Sequence, residues 1–361
     1  MLILGQYGLM WTWIIIKGIY IINEYYFSYD TCHFKLIKLL RKKSLYLLLF
    51  VFNTTFAQGT FPIYTDYLSD NVFLIHPSAA GIGNCAKLRL THRQQWSDFS
   101  DAPSLQSLSF HSKISEKAAF GGILFNDKNG FHSQKGIQAS YAYHLNFYKE
   151  EVMNQLSFGL SFMYVQNSVD ERNFTSPIPD PVNSQLVESN NYYNADFGLA
   201  YHFMDAHTYF TVKNLLLNAS DNNNSFQSLN LRRYLLTLGY YFGRGKELQF
   251  EPSVMGQFIE RTGELSLDIN FKAYKLLAKD KQLWGAISYR QNFENDALEN
   301  LKQITPIIGF NYKRYMVSYT YTSQLNEIAI DNSGFHQFTL GMNLFCKKPR
   351  AAACPNIDSI F

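Results

Sequence analysis

The chain has 361 residues, 47% hydrophobic and 16% aromatic but only 17% charged, against about 25% charged in an ordinary soluble protein. Its mean hydropathy of -0.18 excludes a bundle of membrane-spanning helices but suits a membrane β-barrel, in which only half of each strand meets lipid. The formal charge of +3 rests on the leader: residues 1–57 hold 6 of the 32 basic and 2 of the 29 acidic residues, leaving 26 against 27 and a net -1, so no electrostatic case for nucleic acid remains.

Lys35 to Gln58 reads as a secretory signal. Basic Lys35, Lys38, Arg41, Lys42 and Lys43 precede apolar Leu45 to Phe56, and cleavage is expected after Ala57. Met1 to Phe34 lies upstream of that signal. It is either a start codon placed too early or a real extension, and its apolar run Trp11 to Ile22 is broken by Lys17 and short for a span of ~20 residues. Gly59 to Asn84 does not alternate and is too apolar for a free linker, so residues 58–85 are expected to enter a barrel lumen or cap its periplasmic mouth.

From Ala86 onward, short segments alternate apolar and polar residues one by one, as Leu156 to Tyr164 and Leu265 to Lys272 do. That is the period of a strand with two unlike faces. The alternation and turn signals give fourteen antiparallel strands, starting near Ala86, Pro103, Lys117, His132, Asn154, Asn191, His207, Asn230, Glu247, Glu264, Gln282, Leu301, Tyr315 and Gly334. Each runs ~10 to 14 residues, long enough to cross a bilayer at a tilt. The fold expected over residues 86–346 is an all-β outer-membrane barrel, followed by a periplasmic tail at 347–361.

Connections that would lie outside the cell, such as Ser168 to Asn190, Asn218 to Leu229, Glu294 to Asn300 and Leu325 to Ser333, are long and rich in polar and turn-forming residues. The alternate ones are mostly tight, as in an outer-membrane barrel. Tyr141, Tyr143, Tyr240, Tyr241, Tyr319 and Tyr321 are placed to form interfacial girdles. In the first strand, Leu88 and Leu90 share the lipid face, which puts Arg89, Arg93 and Gln95 toward the lumen. Arg93 is expected to pair with a carboxylate or carbonyls of the preceding segment.

Chemistry is sparse. Ser109 and His111 share a strand face, with His92 on its neighbour and Asp98 and Asp101 between them, but no nucleophile elbow surrounds Ser109. Gly243 to Lys246 lacks either phosphate-binding spacing and reads as a turn, as does Asn126 to Gly130. No Cys/His spacing resembles a zinc site. No catalytic residue, cofactor or metal is expected. Cys346 and Cys354 are expected to form a small terminal disulfide, leaving Cys85 unpaired.

An ordered set of motifs resembles the PorP/SprF family of type IX secretion outer-membrane proteins. The set comprises Tyr64-Thr65-Asp66-Tyr67-Leu68, Pro77 to Gly81, Arg93-Gln94-Gln95-Trp96 and Ala102-Pro103-Ser104-Leu105, with Asn126 to Gly130 and Ser333 to Gln337 downstream. Asp66 stands where many members carry Gln, and His76 where Asn is common. The resemblance implies a noncatalytic component of the secretion and gliding machinery. It would sit in outer-membrane lipid, contact periplasmic machinery and help export or attach an adhesin-like client. Tyr64, Tyr67, Pro77, Gly81, Arg93, Gln95, Trp96 and Pro103 are the expected partner or plug contacts. A porin or hydrophobic-solute transporter is the alternative that the strands alone would equally allow.

Overall fold

A computed structural model describes residues 68–95, 102–147, 154–172, 186–216, 231–243, 245–278, 280–293, 302–325 and 334–346. The expected leader, cleavage site and C-terminal tail lie outside the described residues, as do Asp98 and Asp101.

Fourteen strands close into one barrel in which each pairs with its neighbours in sequence and the last returns to the first. They are β1 (Ala86–Gln95), β2 (Ser104–Lys113), β3 (Ala118–Asn129), β4 (His132–Asn146), β5 (Asn154–Asp170), β6 (Val187–Phe203) and β7 (Ala206–Lys213). The second seven are β8 (Arg233–Tyr240), β9 (Leu248–Ile259), β10 (Leu265–Ala278), β11 (Lys281–Phe293), β12 (Lys302–Tyr312), β13 (Tyr315–Gln324) and β14 (Phe335–Leu344). The closing seam is antiparallel, from Ala86 opposite Leu344 to Gln95 opposite Phe335. Strands β1, β4, β5 and β13 begin at the residues the alternation predicts; β6 begins at Val187 rather than Asn191. Among the described residues no helix is long and apolar enough to cross a membrane.

The burial pattern inverts that of a soluble protein. Leu90, Ile137, Leu160, Ile269, Ile308 and Leu340 are exposed on the outside, while Arg89, Ser140, Ser157, Asp268, Thr305 and Thr339 are buried inside. At about 25 cal/mol per Å² of apolar surface, an outer face of this kind is stable only against hydrocarbon. Tyr141, Tyr143 and Tyr240 are exposed on that face. Tyr319 and Tyr321 pack on His336, whereas Tyr241 turns onto His207.

Turns fall where backbone freedom is available. Gly130 adopts φ 59° between β3 and β4. Gly243 and Gly245 also have positive φ, and Lys246 N donates to Gly243 O, so this run is a turn between β8 and β9.

The disulfide expectation is corrected: Cys346 is bonded to Cys85, across a sequence separation of 261. The reason is topological. In a closed up-and-down barrel the residues just before the first strand and just after the last are spatial neighbours, and here they flank the Ala86–Leu344 pair.

Candidate functional site: a chain segment held in the lumen

The segment from Leu68 to Asn84 makes no strand. Two 3-10 turns, Val72–Leu74 and Pro77–Ala79, fold it compactly. Pro77 starts the second turn with its φ already set and no N–H to satisfy, and His76 before it is extended, as a pre-proline residue must be.

Its apolar side chains have inward-facing partners. Leu68, Phe73, Leu74, Ile75 and Ala80 form one buried cluster with Ala119, Ile123, Ala142, Leu235, Met255, Tyr274, Trp284, Ala286, Ile307 and Met316. Close approach is built into two barrel glycines. A Cβ on Gly159 would lie 2.2 Å from Ser78 N, and one on Gly121 would lie 2.4 Å from Phe73 Cζ.

Charge fixes one end. Arg89 Nη2 donates to Asp70 Oδ2 at 2.9 Å and to Asn343 Oδ1 at 2.9 Å, while Lys87 Nζ reaches Asp70 Oδ2 at 3.3 Å. Burial alone would raise the Asp70 carboxyl, but Lys87, Arg89 and Lys272 hold it well below the usual carboxylate range. Asp70 takes a left-handed backbone, φ 58°, which Asp tolerates better than most residues.

Further hydrogen bonds hold the rest. Asn71 Nδ2 donates to Ser109 Oγ at 2.9 Å, and Lys213 Nζ to Leu74 O at 3.3 Å. His76 is fully buried, with Nδ1 2.8 Å from Thr211 Oγ1 and Nε2 3.0 Å from Thr237 Oγ1. Its ring stacks on Tyr209 at 5.1 Å. Burial, with the Lys213 and His207 charges adding to it, pushes the His76 pKa down to about 3, so the imidazole is neutral. Gly81 adopts φ 69° and its N–H donates to His111 Nδ1 at 3.0 Å. Residues of every strand from β1 to β13 bond to the segment, pack on it or share its cluster.

Of the residues picked from the sequence, Pro77 and Gly81 lie in this segment, buried. Arg93 points inward as its period requires, and its guanidinium lies 4.3 Å from the centroid of the Phe335 ring; Asp70 pairs with Arg89. Gln95 N donates to Pro103 O at 2.9 Å, joining two signature positions across the β1–β2 connection. Tyr64, Tyr67 and Trp96 lie outside the described residues. Ser109 and His111, the nucleophile and base considered above, instead accept hydrogen bonds from Asn71 and Gly81. Among the described residues no group of three or more His, Cys, Asp or Glu is placed to hold a metal ion. The residues missed in the sequence are Asp70 and Lys87, with the pairing of Asp70 to the inward-facing Arg89, together with the apolar lumen positions Trp284, Met255 and Ile307.

The family model for type IX secretion system membrane protein PorP/SprF matches residues 56–342, which takes in the lumenal segment and nearly the whole barrel. The chain belongs to the PorP/SprF family. It is thus a type IX secretion system membrane protein with a 14-strand barrel. Solved structures similar to this family member are membrane barrels. The CymD monoaromatic hydrocarbon channel is 11% identical, with 80% of this chain and 94% of that chain covered and a TM-score of 0.47. A Pseudomonas aeruginosa FadL homologue is 10% identical, with coverages of 72% and 90% and a TM-score of 0.44. BamA from Haemophilus ducreyi is 9% identical, with coverages of 72% and 70% and a TM-score of 0.40. No curated protein matches the chain in sequence.

Proposed function

We propose that this protein is a noncatalytic outer-membrane component of the type IX secretion and gliding machinery that helps a secreted, adhesin-like partner reach or stay on the cell surface. The observation that carries this reading is the occupied lumen. A diffusion porin needs a continuous aqueous path, whereas here an apolar cluster and the Asp70 ion pairs fill the barrel with the chain's own residues 68–84. An interior committed in this way leaves the rims and the outer wall as the working surfaces. Pro77, Gly81, Gln95 and Pro103 then shape the segment and the rim of β1 and β2, and Arg93 braces the seam against Phe335. Tyr64, Tyr67 and Trp96 are assigned to contacts with the periplasmic machinery or the client.

Deletion of the gene tests this. Type IX client protein retained on the surface, measured by protease shaving and immunoblotting, should fall several-fold while client synthesis is unchanged. Normal surface levels in the deletion strain would refute the assignment.

A further inference from the structure

Strand β6 is longer than the wall that it joins. It pairs with β5 along its whole length, from Val187 opposite Asp170 to Phe203 opposite Asn154. On its other side it pairs with β7 only from Phe197 to Phe203. Just above that pairing the outgoing chain caps the edge: Leu215 N donates to Ala195 O at 2.8 Å, and Leu216 N to Asn194 Oδ1 at 3.1 Å. Beyond Asn194 no described residue caps the edge.

The direction of each backbone group follows from these bonds. In a strand a residue's N–H and C=O point to the same side, and successive residues alternate. Ala195 O faces β7, so the backbone groups of Tyr193, Asn191, Ser189 and Val187 face the same open edge. Leu186 O accepts from Glu171 N on the β5 side, which fixes the alternate set independently. Among the described residues nothing pairs with the open-edge groups of these four, and all four side chains are exposed. Tyr193 packs on Phe162 and Tyr164 at the foot of the projection, and above it the outward side chains Ser189 and Asn191 are polar and exposed. This is the end of the barrel with the long connections.

We propose that this edge is a β-augmentation site for an extended segment of an exported protein. The inference rests on the functional reading above and names the surface and the chemistry that it uses. An open strand edge has one good complement, another extended backbone, and soluble proteins normally blunt such edges with charge, proline or a covering loop. Between Val187 and Tyr193 no residue is Pro, the one charged residue, Glu188, alternates onto the other face of the strand, and the outward side chains are Val, Ser, Asn and Tyr, a set that packs best against an uncharged, β-prone strand. The cap at Asn194 limits the added strand to about seven residues, roughly 23 Å. The partner is a different chain rather than a second copy. Two copies inserted in the same direction are related by an axis along the membrane normal, which cannot set their β6 edges antiparallel.

Proline provides a selective test, because the N–H groups of Ser189 and Asn191 point away from β5. The double variant Ser189→Pro with Asn191→Pro leaves the β5 ladder whole and removes two donors from the open edge. A photo-crosslinking benzoylphenylalanine in place of Tyr193, activated in living cells, should give an adduct identified by mass spectrometry as a type IX exported protein. The adduct should disappear when export is blocked. The prolines should lower its yield at least about tenfold while the unheated barrel keeps its folded mobility on SDS gels. The control Asn190→Pro, which strikes the β5 ladder, should disturb folding instead. Unchanged adduct yield in the proline variant, or an adduct consisting only of two copies of this chain, would overturn the assignment. If gene deletion lowers surface client but the prolines do not, the edge assignment alone fails; if deletion has no effect, the functional reading falls and the edge assignment with it.

Discussion

Arg89 Nη2 lies 2.9 Å from Asp70 Oδ2, joining the first strand of the barrel to the segment that fills it. The Arg89 side chain is 1% exposed and that of Asp70 13%, so neither charge has water to fall back on. Asp70→Asn should remove the carboxylate that faces the buried Arg89 guanidinium, at a cost of about 3 kcal/mol. Urea unfolding of the detergent-purified protein should show the lower midpoint, and protease should cut sooner within 68–84 than in the strands. An unchanged midpoint and cleavage pattern would mean that the pair does not anchor the segment.

His76 gives the segment a dependence on acid. Its folded pKa is depressed to about 3, whereas an unfolded histidine titrates near ~6.5. The stability that it contributes is therefore complete above about pH 6.5 and is lost as pH falls toward 3, at about 1.4 kcal/mol per pH unit. Asp70, also depressed, loses its contribution only below the ordinary carboxylate range, so the two groups separate in pH. Protection factors of the segment amides, that is, hydrogen exchange divided by the intrinsic rate at each pH, should fall between about pH 6.5 and 4.5. His76→Asn, which keeps polar contacts to Thr211 and Thr237 but cannot gain a proton, should flatten that slope; an equal slope in the variant would place the titration elsewhere.

The Cys85–Cys346 bridge locks the one strand pairing that is not local in sequence. Cys85→Ser, Cys346→Ser and the double variant should all lose the same stability, up to about 5 kcal/mol in the chain-entropy account, because each removes the same cross-link. Barrel assembly should survive. Denaturant midpoints with and without reductant check this: reductant should shift the wild type onto the variants and leave the variants where they are.

Gly159→Val should displace the segment without touching its own residues, since even a Cβ meets Ser78 N at 2.2 Å. The expected result is a folded barrel by heat-modified gel mobility, with Pro77 and its neighbours newly open to protease. Protection equal to wild type would show that the segment can shift aside.

The barrel was legible because each transmembrane strand has lipid on one side, and a period of two survives in the sequence wherever that holds. It failed where lipid ends. The alternation predicts a β6 start at Asn191 rather than Val187, because Glu188, Ser189 and Asn190 are polar in succession and carry no period of two. The period also put Arg89 and Arg93 inside correctly. It could not show that Arg89 pairs with Asp70, because that depends on how deep the segment sits along the barrel axis. The disulfide was misassigned by local spacing, although fourteen strands and closure already make Cys85 and Cys346 neighbours. Trp284 and Met255 alternate as any lumen residue does, and their apolar character is accounted for by the buried cluster that they share with the segment.

Single-channel recording of the purified full-length protein in planar bilayers tests the occupied lumen most directly. The account predicts no steady conductance from the wild type and a steady pore once residues 68–84 are deleted with Cys85 retained. A large steady conductance from the wild-type protein would contradict it.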